Sequence, residues 1–177
     1  IPFIEGKLFL KVNGKKTEVA HISKVKYLGY TLYKYKGKCR FRVHQKSVEK
    51  MKNKIRELTD RNKGISNEVR EKKYQEYVRG WIEYFRLADM KGLLQATDKW
   101  ARRRIRAVYW KQWKKIKTKY RMLRALGMEQ WKAKELACSR KGCWRMAQVL
   151  NIVIANKIIT KLGYISMLDY YLIVCEN

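Results

Sequence analysis

The first part of the chain alternates between apolar and polar residues, a spacing of two that is typical of β-strands. Lys7–Asn13 alternates in this way, and the Asn13-Gly14 turn signal that follows leads into a second β-branched run, TEVAHI. Two further runs, Lys26–Tyr35 and Lys38–Val43, flank a Lys-Gly pair. We predict that these two runs form an antiparallel β-hairpin, so the chain would begin with a small antiparallel β segment.

From Ser47 the apolar residues recur at helical spacing, and three amphipathic helices are predicted. Ser47 is the predicted N-cap of the first helix, which Gly64 would close, and Ser66 is the predicted N-cap of the second. The third helix is predicted from Leu93 to about Lys117. Their apolar faces would contain Val48, Met51, Ile55 and Leu58, then Val69, Tyr74, Tyr77, Val78, Trp81, Ile82 and Phe85, then Leu94, Thr97, Ala101, Ile105, Val108, Gln112 and Ile116. Three such helices joined by short connections make a bundle.

The last sixty or so residues show shorter helical patterns, with turns expected at Gly127 and Gly163. The predicted helices there are Glu129–Ala137, Cys143–Leu150, Asn156–Leu162 and Ser166–Val174. The predicted fold class is therefore mainly α: a three-helix bundle, a C-terminal region of short helices, and a small antiparallel β segment before them.

The charge of the chain narrows the classes of partner. There are 43 Lys or Arg residues against 15 Asp or Glu, a net charge of +28 that repels itself in a folded domain. Nucleic acid is the polyanion that best compensates such a charge, because its phosphates release counterions when cations bind them. No segment approaches the roughly 20 apolar residues that span a membrane, so we expect no membrane partner. Since the chain begins with Ile1 rather than Met, we expect it to be part of a longer protein.

The cysteines and histidines do not suggest a metal site. Cys138 and Cys143 are more widely spaced than the cysteine pairs of common zinc sites, and His21 and His44 lie far upstream. We therefore expect no metal in this chain and reduced thiols in the cytoplasm.

The most basic stretch is WARRRIRAVYWKQWKKIKTKYRMLRALG, from Trp100 to Gly127, which contains no Asp or Glu. On a helix, Arg103, Arg106, Lys114 and Lys117 lie away from the apolar face, together with Trp110. A merely solvated helix face usually carries both signs of charge, so an interface with nucleic acid is the preferred interpretation. We expect Arg103, Arg106 and Lys114 to be dispensable for stability, and Trp110 to be a possible stacking partner for a base.

Two further basic clusters, on the first bundle helix and around Arg140, suggest an extended binding track. The predicted nucleic-acid-binding residues are Lys46, Lys50, Lys54, Arg102, Arg103, Arg106, Trp110, Lys111, Lys114, Lys115, Lys117, Lys119, Arg121, Arg140, Lys141 and Arg145.

No catalytic constellation is evident. A metal-dependent nucleotidyl transferase needs clustered carboxylates, and Asp60, Asp89, Asp98 and Asp169 are far apart in the sequence. Neither a glycine-rich phosphate loop nor a nucleophile–histidine pair is found. The residues by themselves predict binding without catalysis, and no catalytic residue is proposed.

Several segments of the chain, taken in order, resemble those of a known protein family. The segments are LFLKVNGKKTEV, KYLGYTLY, HQKSVEKMKNKIRELT, GWIEYFRLADM, the basic stretch, SRKGCWRMAQ and LGYISMLDYY. Together they resemble the C-terminal half of a bacterial group II intron-encoded protein, which is a reverse transcriptase and maturase. The resemblance covers essentially the whole chain.

The resemblance implies three regions. Residues 1–44 would be the end of the palm, with a primer-grip-like segment at Tyr27, Leu28, Gly29 and Tyr30. Residues 45–117 would be the thumb, also called domain X, and residues 118–177 the DNA-binding region. The family's catalytic Tyr-x-Asp-Asp sequence is absent from this chain, so Mg²⁺ and polymerase activity are expected only in a palm outside it.

The resemblance also implies partners. These are group II intron RNA, the DNA target and primer–template duplex, and the fingers and palm of the reverse transcriptase, in the bacterial cytoplasm. A stand-alone, non-specific nucleic-acid-binding protein is the alternative hypothesis. An adaptor for an acidic protein is a weaker third.

Overall fold

A computed structural model describes residues 2–13, 20–22 and 25–176 of the chain. The first element is a short helix, α1 (Pro2–Lys7), and residues 8–13 form no strand. The predicted strand at Lys7–Asn13 is therefore wrong: Phe9 has a left-handed backbone, with φ of 52°, which interrupts an extended chain, and no strand among the described residues pairs with this segment. Gly14 of the predicted Asn13-Gly14 turn and residues 17–19 of the predicted TEVAHI strand lie outside the described residues, and the described half of that run, residues 20–22, forms no strand.

The predicted β-hairpin is confirmed at Lys36-Gly37, but its first run, Lys26–Tyr35, is not one strand, because a turn at Leu28 and Gly29 divides it into two. Strands β1 (Lys26–Tyr27), β2 (Tyr30–Tyr35) and β3 (Lys38–Val43) form one antiparallel sheet in that order. Lys36 and Gly37 both have positive φ, 47° and 78°, which is the backbone of the tight turns that suit the twist of a hairpin.

Three helices follow and form the predicted bundle: α2 (Gln45–Leu58), α3 (Asn67–Tyr84) and α4 (Lys91–Gln112). The apolar face predicted for α2 is fully buried, and most of that predicted for α3 is buried too. Val69 is an exception because it is exposed, and Arg70 is buried beside it instead. Guanidinium nitrogens of Arg70 donate to the carbonyls of Leu58, Asp60 and Lys63, so this buried cation holds the α2–α3 connection.

The helix boundaries confirm one predicted cap and correct two. Ser66 is the N-cap of α3, and its Oγ accepts from Val69 N at 3.3 Å. The N-cap of α2 is His44 rather than Ser47, because the His44 ring nitrogen accepts from Lys46 N at 3.1 Å. Helix α2 ends at Leu58, well before Gly64, so Gly64 is not its terminating glycine.

Helix α4 ends at Gln112 rather than near Lys117, and a separate helix, α5 (Ile116–Ala125), follows it. The break places Trp113 edge-to-face against Trp110, with ring centroids 6.1 Å apart and both side chains buried. Gln112 and Ile116, which were predicted on the inner face of α4, are exposed as a result.

The C-terminal region consists of α6 (Gln130–Cys138), α7 (Cys143–Val149), α8 (Asn156–Lys161) and α9 (Met167–Glu176), close to the predicted helices. Gly127 and Gly163 have φ of 87° and 91°, as expected at turns. Helix α5 packs on α6, α7 packs along α4, and α9 packs on α3 and α4. One apolar core therefore runs from the sheet through the bundle into the C-terminal helices.

Asp98 fixes α9 to α4. Its buried carboxylate accepts from Ser166 Oγ, Met167 N and Leu168 N at 2.9–3.0 Å, at the start of α9. A carboxylate at this end satisfies amides that have no partner within the helix and suits the positive end of its dipole.

Within the described part of the chain, no helix combines the length and the apolar character that crossing a membrane requires.

Candidate nucleic-acid interface

The structure brings five of the predicted cations together around one open groove. The groove has a volume of about 440 Å³ and lies where the end of α4, the start of α5 and the α6–α7 connection meet. We call it the basic groove. Its lining residues are Trp110, Lys111, Lys114, Lys119, Ser139, Arg140, Lys141, Gly142 and Cys143.

The early end of α4 creates this groove. Because the helix stops at Gln112, Lys114 lies in the connection to α5, and Lys119 lies on the next helix rather than further along α4. The Lys119 Nζ lies 4.6 Å from the ring centroid of Trp110, and the Trp110 side chain is only 3% exposed. Trp110 therefore forms the floor of the groove beneath Lys119, and the prediction that it stacks on a base does not fit its burial.

The positive charge of the basic groove is not compensated by the protein. No Asp or Glu lines it. The ion pairs among the described residues join Arg40 to Asp89, Lys54 and Lys63 to Glu57, and Lys132 to Glu129, so none involves a groove cation. Exposed cations of one sign around a concave surface raise the local potential and attract phosphates.

The other predicted cations lie outside the groove lining. Lys115, Lys117 and Arg121 are exposed at or on α5, and Arg145 is exposed on α7. On α2, Lys46, Lys50 and Lys54 are exposed, but Lys54 Nζ lies 2.8 Å from a Glu57 carboxylate oxygen. The charge of Lys54 is thus largely compensated, while the charges of the other two are not.

Three predicted arginines line a second cleft, of about 560 Å³, between α4 and the C-terminal helices. Arg106 is buried there: its Nε donates to Ile154 O at 2.8 Å and its Nη2 to Asn156 Oδ1 at 2.9 Å. Burial and the neighbouring Arg102 lower the pKa of Arg106 to about 10. Arg106 therefore belongs to the fold, which corrects the prediction that it faces away from the core and is dispensable for stability.

Arg102 and Arg103 are half-buried in the same cleft. Arg103 donates from Nε and Nη2 to Trp144 O at 3.3 and 3.1 Å. Among the described residues, Arg102 has no hydrogen-bond acceptor and no ion-pair partner, so its charge is available to an external anion.

The primer-grip-like residues form the turn between β1 and β2. Leu28 and Gly29 have φ of 49° and 84°, and a Cβ at Gly29 would lie 2.9 Å from Ser47 Oγ and 3.1 Å from the Phe85 ring. Glycine is therefore required there by both the backbone conformation and the space. The Tyr30 hydroxyl donates to Tyr84 O, and the Tyr84 hydroxyl donates to Leu28 O at 2.9 Å, so the turn is fixed against the end of α3.

The same turn presents an apolar groove of about 220 Å³. Its lining residues are Val25, Tyr27, Leu28, Tyr30, Leu32, Phe41 and Leu87. Leu28 and Leu87 are more than 60% exposed, so large side chains here lack apolar partners.

Metal-binding chemistry is not apparent in the described residues. They contain no group of three or more His, Cys, Asp or Glu side chains that could hold an ion. Cys39, Cys138, Cys143 and Cys175 are free thiols.

Sequence reasoning missed the indole of Trp144, which is exposed and lies beside Arg103. The position of Trp144 in its own helix did not indicate a binding role, because the arginine beside it belongs to α4, which is distant in the sequence.

A family model described as "Group II intron, maturase-specific domain" matches residues 48–127, from the first turns of α2 to the end of α5. No match was found among curated proteins. The matched segment contains three of the five groove cations, Lys111, Lys114 and Lys119. It also contains the bundle, so the resemblance drawn from the sequence is confirmed over this part of the chain.

Proposed function

We propose that the chain acts as a maturase in group II intron splicing by binding intron RNA in the basic groove. The match of residues 48–127 to the family model for the group II intron maturase-specific domain supports this role. The observation that carries this proposal is the convergence of five uncompensated cations from three separate segments of the chain.

The composition of the groove favours a phosphate backbone as its ligand. Four of its five cations are lysines, which act as mobile point charges rather than as fixed bidentate partners. Such contacts position a nucleic acid without reading its sequence. Sequence or shape selectivity would then come from the way a folded intron presents its phosphates to the groove.

Promotion of splicing follows from binding the folded RNA. Structured RNA has closely spaced phosphates that repel one another, and a ligand that binds the compact form more tightly shifts the population towards it. The maturase would thus stabilise the self-splicing conformation of the intron without supplying a catalytic group.

We propose further that the chain works as part of a larger reverse transcriptase. The apolar groove beside the Tyr27–Tyr30 turn would contact the palm, because exposed apolar patches commonly mark protein interfaces. The bundle would hold the template–primer duplex, and residues 118–177 the DNA target, during target-primed reverse transcription in intron mobility. Polymerase activity and its Mg²⁺ would reside in the palm, and the enzyme would act in the bacterial cytoplasm.

Equilibrium binding tests the maturase proposal. The chain is titrated onto a transcribed group II intron RNA and onto an RNA of equal length and shuffled sequence, at about 0.15 M salt. We expect tighter binding to the intron and a steep fall in affinity with salt for both. Equal affinity for the two RNAs would contradict the maturase proposal and favour a non-specific nucleic-acid-binding protein.

A splicing assay completes the test. At a Mg²⁺ concentration too low for efficient self-splicing, the chain should raise the fraction of spliced intron. If the chain binds the intron but does not increase the spliced fraction, it binds the RNA without promoting splicing, and the maturase proposal is wrong.

A further inference from the structure

A third cleft, of about 320 Å³, lies between the C-terminal end of α2, the middle of α4 and the start of α7. We call it the Trp–Arg cleft. Its lining residues are Thr59, Asp60, Arg61, Trp100, Arg104, Ala107 and Trp144. None of these belongs to the basic groove or to the predicted nucleic-acid-binding set.

Two arginines, Arg61 and Arg104, line this cleft, and hydrogen bonds within the protein hold Arg104 in place. Arg104 donates from Nε to Thr59 Oγ1 at 2.7 Å and from Nη2 to Arg56 O at 3.2 Å. Burial, together with the charges of Arg56 and Arg61, lowers the pKa of Arg104. The only carboxylate that lines the cleft is that of Asp60, so positive charge exceeds negative charge there. An anion entering the cleft would meet the Arg104 guanidinium, which is already positioned, together with the charge of Arg61.

Besides the arginines, the cleft is lined by the indole rings of Trp100 and Trp144. Trp144 is 41% exposed, and the Arg103 guanidinium carbon lies 4.1 Å from its ring centroid. Trp100 is half-buried, with the guanidinium carbons of Arg56 and Arg104 at 5.5 and 5.4 Å from its ring. Cation–π contacts of this kind fix the orientation of each ring. The exposed surface of Trp144 is thus a flat aromatic platform at the edge of a cationic cleft.

A flat aromatic surface beside guanidinium groups matches the two parts of a nucleotide. Bases stack on tryptophan through their π-faces, and arginine binds phosphate with a planar pair of donors. The faces of paired bases inside an A-form helix are covered, so only an unpaired base can stack on a protein side chain. At about 320 Å³ the cleft is at the lower end of the range for small-ligand sites, roughly 300–1,000 Å³, which suits one nucleotide rather than a duplex.

We propose that the Trp–Arg cleft binds a single unpaired nucleotide of RNA, with the base stacked on Trp144 and the phosphate contacted by Arg61 and Arg104. This inference rests on the proposed binding of RNA by the chain and adds a second, chemically different contact to it. The basic groove contacts the backbone, whereas the Trp–Arg cleft selects RNA that displays an unpaired base.

The test compares two hairpin RNAs of the same stem sequence, one with a bulged purine and one fully paired, using the full chain. For Trp144→Ala we expect affinity for the bulged hairpin to fall about 5- to 100-fold, the range that stacking of one base supplies. Affinity for the paired hairpin should change by less than about twofold, because it depends on phosphate contacts alone.

Trp131→Ala is the matched control. Trp131 is 62% exposed on α6, and the Nζ of Lys132 lies 5.0 Å from its ring centroid, so it is also a surface indole beside a cation. It lines neither the Trp–Arg cleft nor the basic groove, and its removal should leave both affinities unchanged. Trp144→Phe keeps an aromatic face and should retain most of the preference for the bulge. Trp144→Leu keeps apolar volume without an aromatic face, should lose the preference, and replaces the alanine variant if that variant unfolds.

Several results would overturn the inference. Equal losses for the two hairpins in Trp144→Ala, a similar loss of preference in Trp131→Ala, or the absence of any preference for the bulge in the unaltered chain would each contradict it. If the chain binds both hairpins in a salt-dependent way but Trp144 has no selective effect, only the nucleotide cleft is wrong. If the chain binds neither hairpin, the proposed RNA binding fails as well. Salt-insensitive capture of an acidic peptide in place of RNA would assign the arginines to a protein partner.

Discussion

The basic stretch of α4 and α5 contains two groups of cations that differ in what their side chains contact. Arg103, Arg104 and Arg106, in the middle of α4, all donate to oxygen atoms of other segments of the protein. Lys111 and Lys114, at the end of α4 and just beyond it, are exposed in the basic groove and have no ion pair in the described part of the chain. The two groups carry the same sign of charge, but the arginines form hydrogen bonds within the protein, whereas the lysines are exposed to solvent.

The chemistry of the side chains explains this division. The guanidinium group of arginine has five donors in a plane and is weakly hydrated, so it can be buried against several carbonyl oxygens. The ammonium group of lysine is strongly hydrated and remains in water, from which it can be transferred to a phosphate. A cluster of basic residues in a sequence therefore overstates the binding surface, because some of its side chains are already bonded to other parts of the protein.

The largest expected effect concerns the lysine group. Replacing Lys111, Lys114, Lys119 and Lys141 with Gln removes four uncompensated charges from the basic groove. At about 0.15 M salt, affinity for intron RNA should fall by about two to three orders of magnitude, and the slope of log K against log salt should decrease by roughly 3–4. Binding isotherms at several salt concentrations measure both.

The thermal unfolding midpoint of this fourfold variant should stay the same or rise, since like charges are removed from an exposed surface. Loss of affinity with an unchanged salt slope would show that the groove lysines do not contact phosphates.

The second prediction concerns the arginine group. Arg106→Lys removes the planar donors that satisfy Ile154 O and Asn156 Oδ1 inside the protein. The free energy of unfolding should fall by about 2–4 kcal/mol, because a buried carbonyl loses its donor while a charge stays buried. This corresponds to a decrease of ~5–15 °C in the unfolding midpoint, measured by circular dichroism.

Arg121→Lys on the exposed surface of α5 is its control and should change stability by no more than about 0.5 kcal/mol. If Arg106→Lys were as stable as Arg121→Lys, the division between the two groups would not hold.

A smaller effect is expected at Glu57, whose carboxylate contacts Lys54 at 2.8 Å and Lys63 at 3.0 Å. Hydrogen bonds from these lysines lower the pKa of Glu57 from its ordinary value of 4.5 to about 2. The stability it contributes is therefore present above pH 4.5 and is lost as the pH falls from there through about 2. Glu57→Gln should flatten this part of the pH–stability curve.

The same Glu57→Gln variant should bind intron RNA about two- to fivefold more tightly, because it releases a predicted contact, Lys54, from its partner. Unchanged affinity would exclude the α2 lysines from the binding track.

The smallest effect is expected when lysine is replaced by arginine in the basic groove. Lys111→Arg combined with Lys114→Arg keeps the charge in solvent, so affinity for intron RNA should stay within about threefold and the salt slope should not change. Together with the destabilising Arg106→Lys, this pair of results would separate charge from hydrogen-bond geometry. A large loss of affinity would mean that the groove requires the compact ammonium group.

Much of the fold was predictable because it depends on local periodicity. The helical spacing of Val48, Met51, Ile55 and Leu58 predicted a face that is buried, and the Lys36-Gly37 pair predicted the hairpin of β2 and β3, although not the turn that separates β1 from β2. The strand expected at Lys7–Asn13 was wrong because alternation does not reveal backbone conformation, and Phe9 adopts a left-handed one.

The candidate site was predictable only in part. The excess of cations and their spacing around the end of α4 indicated a polyanion, and five of the predicted cations do meet in one groove. The prediction failed for Arg106 and Trp110, because Arg106 is covered by a segment far away in the sequence and Trp110 by the chain that turns back after α4. Arg106 is bonded to residues 48 and 50 positions later, and Lys119 covers Trp110 only because α4 ends early.

The positive charge, the amphipathic helices and the match of residues 48–127 to the family model for the group II intron maturase-specific domain all follow from the amino-acid sequence alone. These properties depend only on residue type and on the spacing of residues along the chain. Which cations remain available to a nucleic acid depends on the tertiary structure, because α7 packs against α4 and the chain turns at Trp113. Availability depends on what covers a side chain, and the covering residues are placed by tertiary packing and by the turn at Trp113, neither of which the spacing of the basic residues reveals.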